Sequence, residues 1–512
     1  MTRPEMRRRM EAHSGAWDVV IVGGGATGVG VAIDAASRGY STLLLEQSDF
    51  GKGTSSRSTK LVHGGVRYLE QGNLRLVMEA LRERGLLLQN APHLVQNLGF
   101  VVPSYDWWEA PFYGAGLKLY NLLAGKYRFG PSEILSREET LERLPTIRTE
   151  GLRGGVIYYD GQFDDSRLLI HLAETAFEQG ATLLNYARVT AVAKDGLTFR
   201  DLESGEDLTA AARVVINATG PFSDTVRRMA DPAAEPAIAP SQGIHLVFDA
   251  SFLPGDSAIM VPHTSDGRVM FAIPWHGHTL VGTTDTPIED APLEPVALEQ
   301  EIDFILQTSA LYLEKKPERS DVLSIFAGIR PLSRAETTSG QTSALSRDHT
   351  IRVERSGILT ITGGKWTTYR RMAEHCVDEA AKLAGLPSAA SVTRDLPIHG
   401  AHPDAASFGH LRVYGSDAPH IAGLGAPGVL HPNLPYTEAE VIWAARHEMA
   451  RTVEDVLARR TRALFLNARA ATAMAPRAAE LMARELGRDT AWQQEQVREF
   501  CELARSYLPA AL

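Results

Sequence analysis

The chain has 512 residues, 44% of them hydrophobic, enough for two or three domains with buried cores. Its net charge of −10 weighs against a nucleic-acid partner, and its two cysteines, Cys376 and Cys501, exclude a disulfide framework, show no metal-ligand spacing and suggest a reducing compartment. No apolar run is long enough to span a bilayer; the basic start MTRPEMRRRM lacks the apolar stretch of a signal peptide and is broken by Glu5 and Glu11, which disfavours a mitochondrial transit peptide.

In chain order, Asp18 to Val22 (DVVIV) predicts a short buried strand running into Gly23-Gly24-Gly25-Ala26-Thr27-Gly28-Val29-Gly30. A helix of small residues follows, and Gly39 stands where a helix C-cap belongs. Ser41 to Leu45 predicts a second strand, ending at Glu46, which completes a βαβ start. Residues 72–90 predict an amphipathic helix, 103–129 is aromatic and irregular, and 181–193 and 212–218 predict strands. From about 242 to 290, apolar segments alternate with turns at Asp266-Gly267 and His276-Gly277, a meander pattern. A strand at 358–362 leads through Gly363-Gly364 into another helix. After a Pro/Gly/His-rich break at 396–403, the pattern turns helical beyond about 430, and no internal repeat is visible.

Glycines 23, 25 and 28 fit GxGxxG. They permit the tight turn, the approach of backbone to a pyrophosphate, and the packing of helix on strand. The helix N-terminus offers free N–H groups and a positive dipole end to phosphates. Glu46 stands about 20 residues on, where an acid binds ribose hydroxyls and disfavours a 2′-phosphate.

The motif alone does not separate FAD from NAD. Gly53 to Gly65, rich in small hydroxyl residues and glycine, suits backbone donors beside a flat ring. VVINATG (214–220) ends in small residues, and GGKWTT (363–368) opens a helix whose dipole can stabilise negative charge on a reduced flavin. Together they describe a flavin cradle. The candidate cofactor-binding set is Gly23, Gly25, Ala26, Thr27, Gly28, Glu46, Thr54, Ser55, Ser56, Lys60, Leu61, His63, Gly64, Gly65, Ala218, Gly220, Gly364, Lys365, Trp366 and Thr367.

With these motifs in view, the chain resembles the FAD-dependent glycerol-3-phosphate dehydrogenases, within the D-amino-acid-oxidase-like flavoproteins. The resemblance covers nearly the whole chain. It rests on GGGATGVG (23–30), TSSRSTKLVHGGVRYLE (54–70), NATGPFSD (217–224), IPW with GTTD (273–285), AGIRPL (327–332), SRDHT (346–350) and GGKWTTYR (363–370). One departure is Arg57, in what is commonly a run of small residues beside the flavin. The resemblance implies an α/β fold: a Rossmann-like FAD-binding domain with an inserted antiparallel β-sheet substrate domain and a C-terminal helical domain. The expected boundaries are 16–100, 150–240 and 345–390 for the FAD-binding core, 101–149 and 241–344 for the interleaved substrate domain, and 400–512 for the helical domain. It also implies oxidation of sn-glycerol 3-phosphate to dihydroxyacetone phosphate, with hydride passing to the flavin and electrons to a membrane quinone.

A small dianionic substrate needs converging cations. Arg67, Arg330, Lys365 and Arg347 are the candidates, with Tyr68 as a hydroxyl donor. A solvated charge is the ordinary reading of a single Arg or Lys, but the Gly/Pro contexts and the family motifs favour function. Alcohol oxidation also needs a base, and His245 in GIHLVF matches a family position at the substrate site; Arg330 is expected to assist there. His63 in the flavin loop is the alternative, or it holds that loop by hydrogen bonds.

Between 105 and 128, Trp107, Trp108, Phe112 and Tyr113 lie near Lys118, Lys126 and Arg128. That mixture suits a membrane interface, and the resemblance implies a peripheral enzyme on the cytoplasmic membrane, with a helical segment at this place. The tail is expected either to form homodimer contacts or to brace the core. Other readings are an oxygen-using oxidase of the same fold, a flavin amine oxidase, and a non-catalytic nucleotide-binding protein.

Overall fold

The computed structural model describes residues 1–65, 73–262, 264, 267–334 and 349–510. Its first layer is an eight-stranded sheet whose centre is parallel. The strand Trp17–Val22 lies between Thr42–Leu45 and Asp207–Asn217, and Leu359–Gly363 pairs on the far side of the latter. Helices Ala26–Ser37 and Tyr369–Ala384 pack on one another beside this sheet. The strands read as continuous apolar runs because both faces are covered.

The second sheet has ten strands. Its spine is Ile238–Asp249, paired antiparallel with Ser324–Ser333 over ten residue pairs and with His278–Gly282 on the other edge. The expected meander is present as Ser257–Val261, Met270–Trp275 and His278–Gly282. At its second turn His276 and Gly277 have φ of 47° and 71°, the pair of positive values a two-residue hairpin turn of the primed type requires. Asp266, in the first turn, lies outside the described residues.

The expected domain boundaries need correction. Val95–Ser104 and Gly154–Phe163 pair with each other over ten residues and belong to the second sheet, so the boundary placed at residue 100 cuts through a strand. Neither strand was expected from the sequence, and no local pattern shows which sheet supplies a strand's partner. Ahead of the first strand, Arg3–Ala12 is a helix, anchored by Arg3 to Asp201 at 2.7 Å.

The tail is helical as expected, with Glu438–His447, Ala468–Leu486 and Thr490–Arg505 as its main helices. It braces the core. Ser324 Oγ donates to Leu464 O, Ile325 N donates to Tyr507 O, and Ala468 N donates to Leu323 O, so the tail grips the strand that carries Arg330.

Arginines 459, 460 and 462 of the tail are buried against the core. Arg459 and Arg460 converge on Asp49, and Arg462 reaches Asp165. The two cations hold the Asp49 carboxyl below its usual range despite its burial.

Candidate active site

The strand Trp17–Val22 ends in the glycine loop, and helix Ala26–Ser37 starts above it. A Cβ at Gly28 would lie 2.0 Å from Gly23 O, so only glycine lets the helix sit this close to the strand end. Glu46, at the tip of the second strand, accepts from Gly24 N at 2.7 Å and from Ser48 N at 2.8 Å. Burial raises its carboxyl above the ordinary value, against the pull of these two donors.

A cleft opens here, lined by Gly23, Gly25, Ala26, Thr27, Glu46, Thr54, Ser55, Ala218, Gly220, Gly364, Lys365 and Trp366. Small residues form its walls where bulky ones would fill it. An elongated dinucleotide fits that cradle, with the helix N-terminus at the pyrophosphate and Glu46 at a ribose.

The cleft continues into a second cavity, sharing Thr54, Pro331, Gly363, Gly364, Lys365 and Trp366 with it. The added walls include Leu61, His63, Thr367, Thr59, Gly243, His245, Phe271, Thr283 and Arg330. The structure therefore brings His245, Arg330 and Lys365 to one cavity at the end of the dinucleotide cleft. Arg67, Tyr68 and Arg347 lie outside the described residues.

His245 faces Phe326 across the register of two paired strands and stacks on it at 4.8 Å. Its Nε2 is 3.0 Å from Thr59 Oγ1. Burial, then the charges of Lys60 and Arg330, holds its pKa well below the usual histidine value, so the ring is neutral at pH 7. Arg330 is oriented by Thr284 O at 3.0 Å, and by Thr283 Oγ1 and Asp285 Oδ1, both at 3.2 Å. Asp285 in turn accepts from Ser241 Oγ.

Several expected cofactor residues stand behind the walls instead of on them. Lys60, with φ of 65°, turns its side chain inward to Asp165 at 2.7 Å and Ser56 O at 2.9 Å, beneath the rings of Phe326, Trp275 and Phe465. Burial brings its ammonium down to about 7. The Ser56 carbonyl is taken by Lys60 and by Arg462. The Gly64 amide donates to Tyr120 Oη at 2.8 Å, and neither it nor Gly65 lines either cavity. Gly28 packs the helix start against Gly23 O.

Arg57 lines the second cavity, yet its guanidinium is tied to Glu294 at 2.7 Å and to the carbonyls of Lys52 and Ala327. The departure from small residues is thus absorbed by the tail, whose Phe465 and Tyr507 rings lie beside it. Thr59, Thr283 and Asp285 escaped the sequence reading as site residues. All three fall within the family motifs at 54–70 and 273–285, but nothing in their spacing shows which side chains meet His245 or Arg330.

A strand–glycine loop–helix unit with an acid at the second strand, opening into a cavity with a neutral histidine and two cations, defines a dinucleotide-dependent oxidoreductase of the flavoprotein type. Residues 18–370 match the model of the FAD-dependent oxidoreductases, and residues 359–496 match that of the C-terminal domain of alpha-glycerophosphate oxidase. A probable mitochondrial glycerol-3-phosphate dehydrogenase of Caenorhabditis elegans is 42% identical across 96% of this chain and 73% of its own length. The mitochondrial glycerol-3-phosphate dehydrogenase of Homo sapiens is 40% identical over the same shares, 96% and 73%. The crystal structure of the glycerol-3-phosphate dehydrogenase from Bacillus halodurans complexed with FAD has a TM-score of 0.80 and 29% identity, covering 100% of this chain and 98% of that one. The chain belongs to the FAD-dependent glycerol-3-phosphate dehydrogenase family, and its cofactor is FAD.

Proposed function

We propose that the protein oxidises sn-glycerol 3-phosphate to dihydroxyacetone phosphate at the second cavity and passes the electrons to a membrane quinone. The observation that carries this reading is the convergence of His245, Arg330 and Lys365 on the cavity that continues the dinucleotide cleft. Bound FAD supplies the hydride acceptor. The remaining work belongs to the chain's own side chains.

Arg330 and Lys365 bind the phosphate, joined by Arg67, Arg347 and Tyr68 from outside the described residues. Neutral His245 takes the proton of the C2 hydroxyl as its C–H bond breaks, with the Thr59 hydroxyl 3.0 Å from Nε2 to fix the ring. The bound dianion raises the histidine's proton affinity, offsetting the depression caused by Lys60 and Arg330. His245→Ala is expected to slow anaerobic flavin reduction by ~10²- to 10⁴-fold; near-normal reduction would remove His245 from this role.

The membrane half of the proposal rests on the helix Glu109–Ala124. One face is buried through Tyr113, Leu117 and Tyr120. The other leaves Phe112, Leu119 and Leu122 exposed, Leu122 by 76%, and Trp107, just ahead of the helix, is 77% exposed. Among the described residues no helix is long and apolar enough to cross a membrane. The arrangement suits insertion into one leaflet, with Lys118, Lys126 and Arg128 at the headgroups. Peroxide formation measured against quinone reduction decides the acceptor: rapid peroxide release with no quinone reduction would make the enzyme an oxidase.

A further inference from the structure

Far from the flavin cleft, helix Asp165–Glu178 carries Glu174 and Glu178 one turn apart. The segment that opens the tail passes over them. Ser416 N donates to Gly400 O at 3.0 Å, which closes this segment on itself and sets His399 beside Asp417. His399 N is pinned to Thr175 Oγ1 at 2.9 Å, fixing the ring over the helix.

The side-chain geometry is that of a ligand set. His399 Nε2 lies 2.8 Å from Asp417 Oδ2 and 3.4 Å from Glu174 Oε2. The three donor atoms fall within 4.8 Å of one another. A tetrahedral zinc with bonds of about 2.0–2.1 Å holds its ligand atoms about 3.3 Å apart, so the Glu174–His399 edge already has that length and the Asp417 edge needs about half an ångström more. The other ring nitrogen, Nδ1, is 2.6 Å from Glu178 Oε1. A carboxylate on the far nitrogen is the partner that orients a metal-bound histidine and raises its basicity.

A second observation points the same way. Glu174 is 4% exposed, and its Oε2 has no hydrogen-bond partner among the described residues. A buried carboxylate oxygen left so is costly. Three carboxylates face one imidazole here, and even a protonated ring leaves the cluster with excess negative charge. The amino terminus lends only part of the balance.

We infer that Glu174, His399 and Asp417 form a structural binding site for a divalent cation of the zinc class, with a water as fourth ligand, clamping the start of the C-terminal domain to the FAD-binding core. Glu178 is a positioning residue, acting through the His399 ring. The residues are spread from 174 to 417, so no local spacing announces the site.

The test uses the full-length FAD-loaded protein, stripped with a chelator, titrated with Zn²⁺, desalted and assayed for metal by mass spectrometry. The expected result is about one retained zinc per chain and a raised unfolding temperature. Glu174→Gln should abolish retention. Glu178→Gln, half exposed and therefore tolerant of change, should weaken affinity by ~10- to 100-fold while leaving flavin content and turnover unchanged. Cobalt substitution should give a visible d–d band beyond the flavin absorption that is absent from Glu174→Gln. Zinc retention equal in wild type and both variants, or no retention and no thermal shift in the wild type, would overturn the inference in favour of a plain imidazolium–carboxylate cluster.

Discussion

The placement of Arg330 depends on a residue that touches no ligand. Gly243 lies on the spine strand of the second sheet, and a methyl group there would stand 2.6 Å from each of Arg330 Nη2, Thr283 Oγ1 and Thr284 O. Ordinary contact begins near 3.4 Å, so something must give by about 0.8 Å. Thr284 O is backbone of the short link between the strands His278–Gly282 and Thr286–Pro287, both paired with the spine, and yields little. The guanidinium ends a flexible side chain and will move, losing its 3.0 Å bond to that carbonyl. A displacement of ~1 Å at a positioning group costs ~10²-fold in rate, or ~2.7 kcal/mol of transition-state stabilisation. Gly243→Ala should therefore lower kcat/KM for glycerol 3-phosphate by ~10²-fold. Overpacking should cost ~1–3 kcal/mol of stability. FAD content should not change, because Gly243 lies on the wall of the second cavity and not on that of the dinucleotide cleft. Stopped-flow flavin reduction under anaerobic conditions, over a range of substrate, reads the effect. A kcat/KM within twofold of wild type in a folded, FAD-loaded variant would refute the assignment of Arg330 to the phosphate.

Other consequences can be checked independently. Trp107→Glu with Leu122→Glu should shift the protein from sedimenting with anionic vesicles to the supernatant while leaving activity with a soluble dye acceptor; unchanged sedimentation would contradict the interfacial role of this helix. Glu46→Gln should loosen FAD, read as flavin lost on gel filtration, because the amide cannot accept ribose hydroxyls through two anionic oxygens; full retention would count against the ribose contact. His93 is buried beside His171, with its Nε2 2.9 Å from His171 Nδ1, and burial lowers its pKa to about 3. The folded ring stays neutral while the unfolded ring takes up a proton below about 6.5. Its contribution to stability is therefore complete above pH 6.5 and is lost as pH falls towards 3, at up to ~1.4 kcal/mol per pH unit. His93→Asn should flatten the fall of unfolding temperature between pH 6.5 and 5; an unchanged slope would place the acid sensitivity elsewhere.

The first βαβ unit was readable because its chemistry is local: strand, glycines, helix and Glu46 fall within a short stretch, and each has a mechanical reason to be there. The same holds for the meander, whose turns are marked by residues suited to positive φ. The His245 environment was readable only in part. Its partner Thr59 arrives from the loop ahead of Leu61–Val62 and Phe326 from a distant strand, and the Phe326 stack is a matter of register between Ile238–Asp249 and Ser324–Ser333. Lys60 misled because its neighbours do face the cavity; the left-handed backbone at this residue turns it away, into a buried pair with Asp165. Arginines 459, 460 and 462 lie in a stretch that the sequence marks only as helical. They are buried because Asp49 and Asp165 wait beneath them, acids whose depth no local pattern reveals. The boundary at residue 100 failed for the same reason, since pairing across the chain decides which sheet owns a strand.

The central claim is that the cavity beside the flavin accepts glycerol 3-phosphate as electron donor. The most direct measurement is the visible flavin absorbance of the purified, FAD-loaded protein under anaerobic conditions on addition of substrate. Glycerol 3-phosphate should bleach it within seconds, while glycerol, which lacks the dianion, and D-amino acids, which lack the phosphate that Arg330 and Lys365 bind, should leave it yellow. Bleaching by a D-amino acid or by glycerol, with none by glycerol 3-phosphate, would contradict the account.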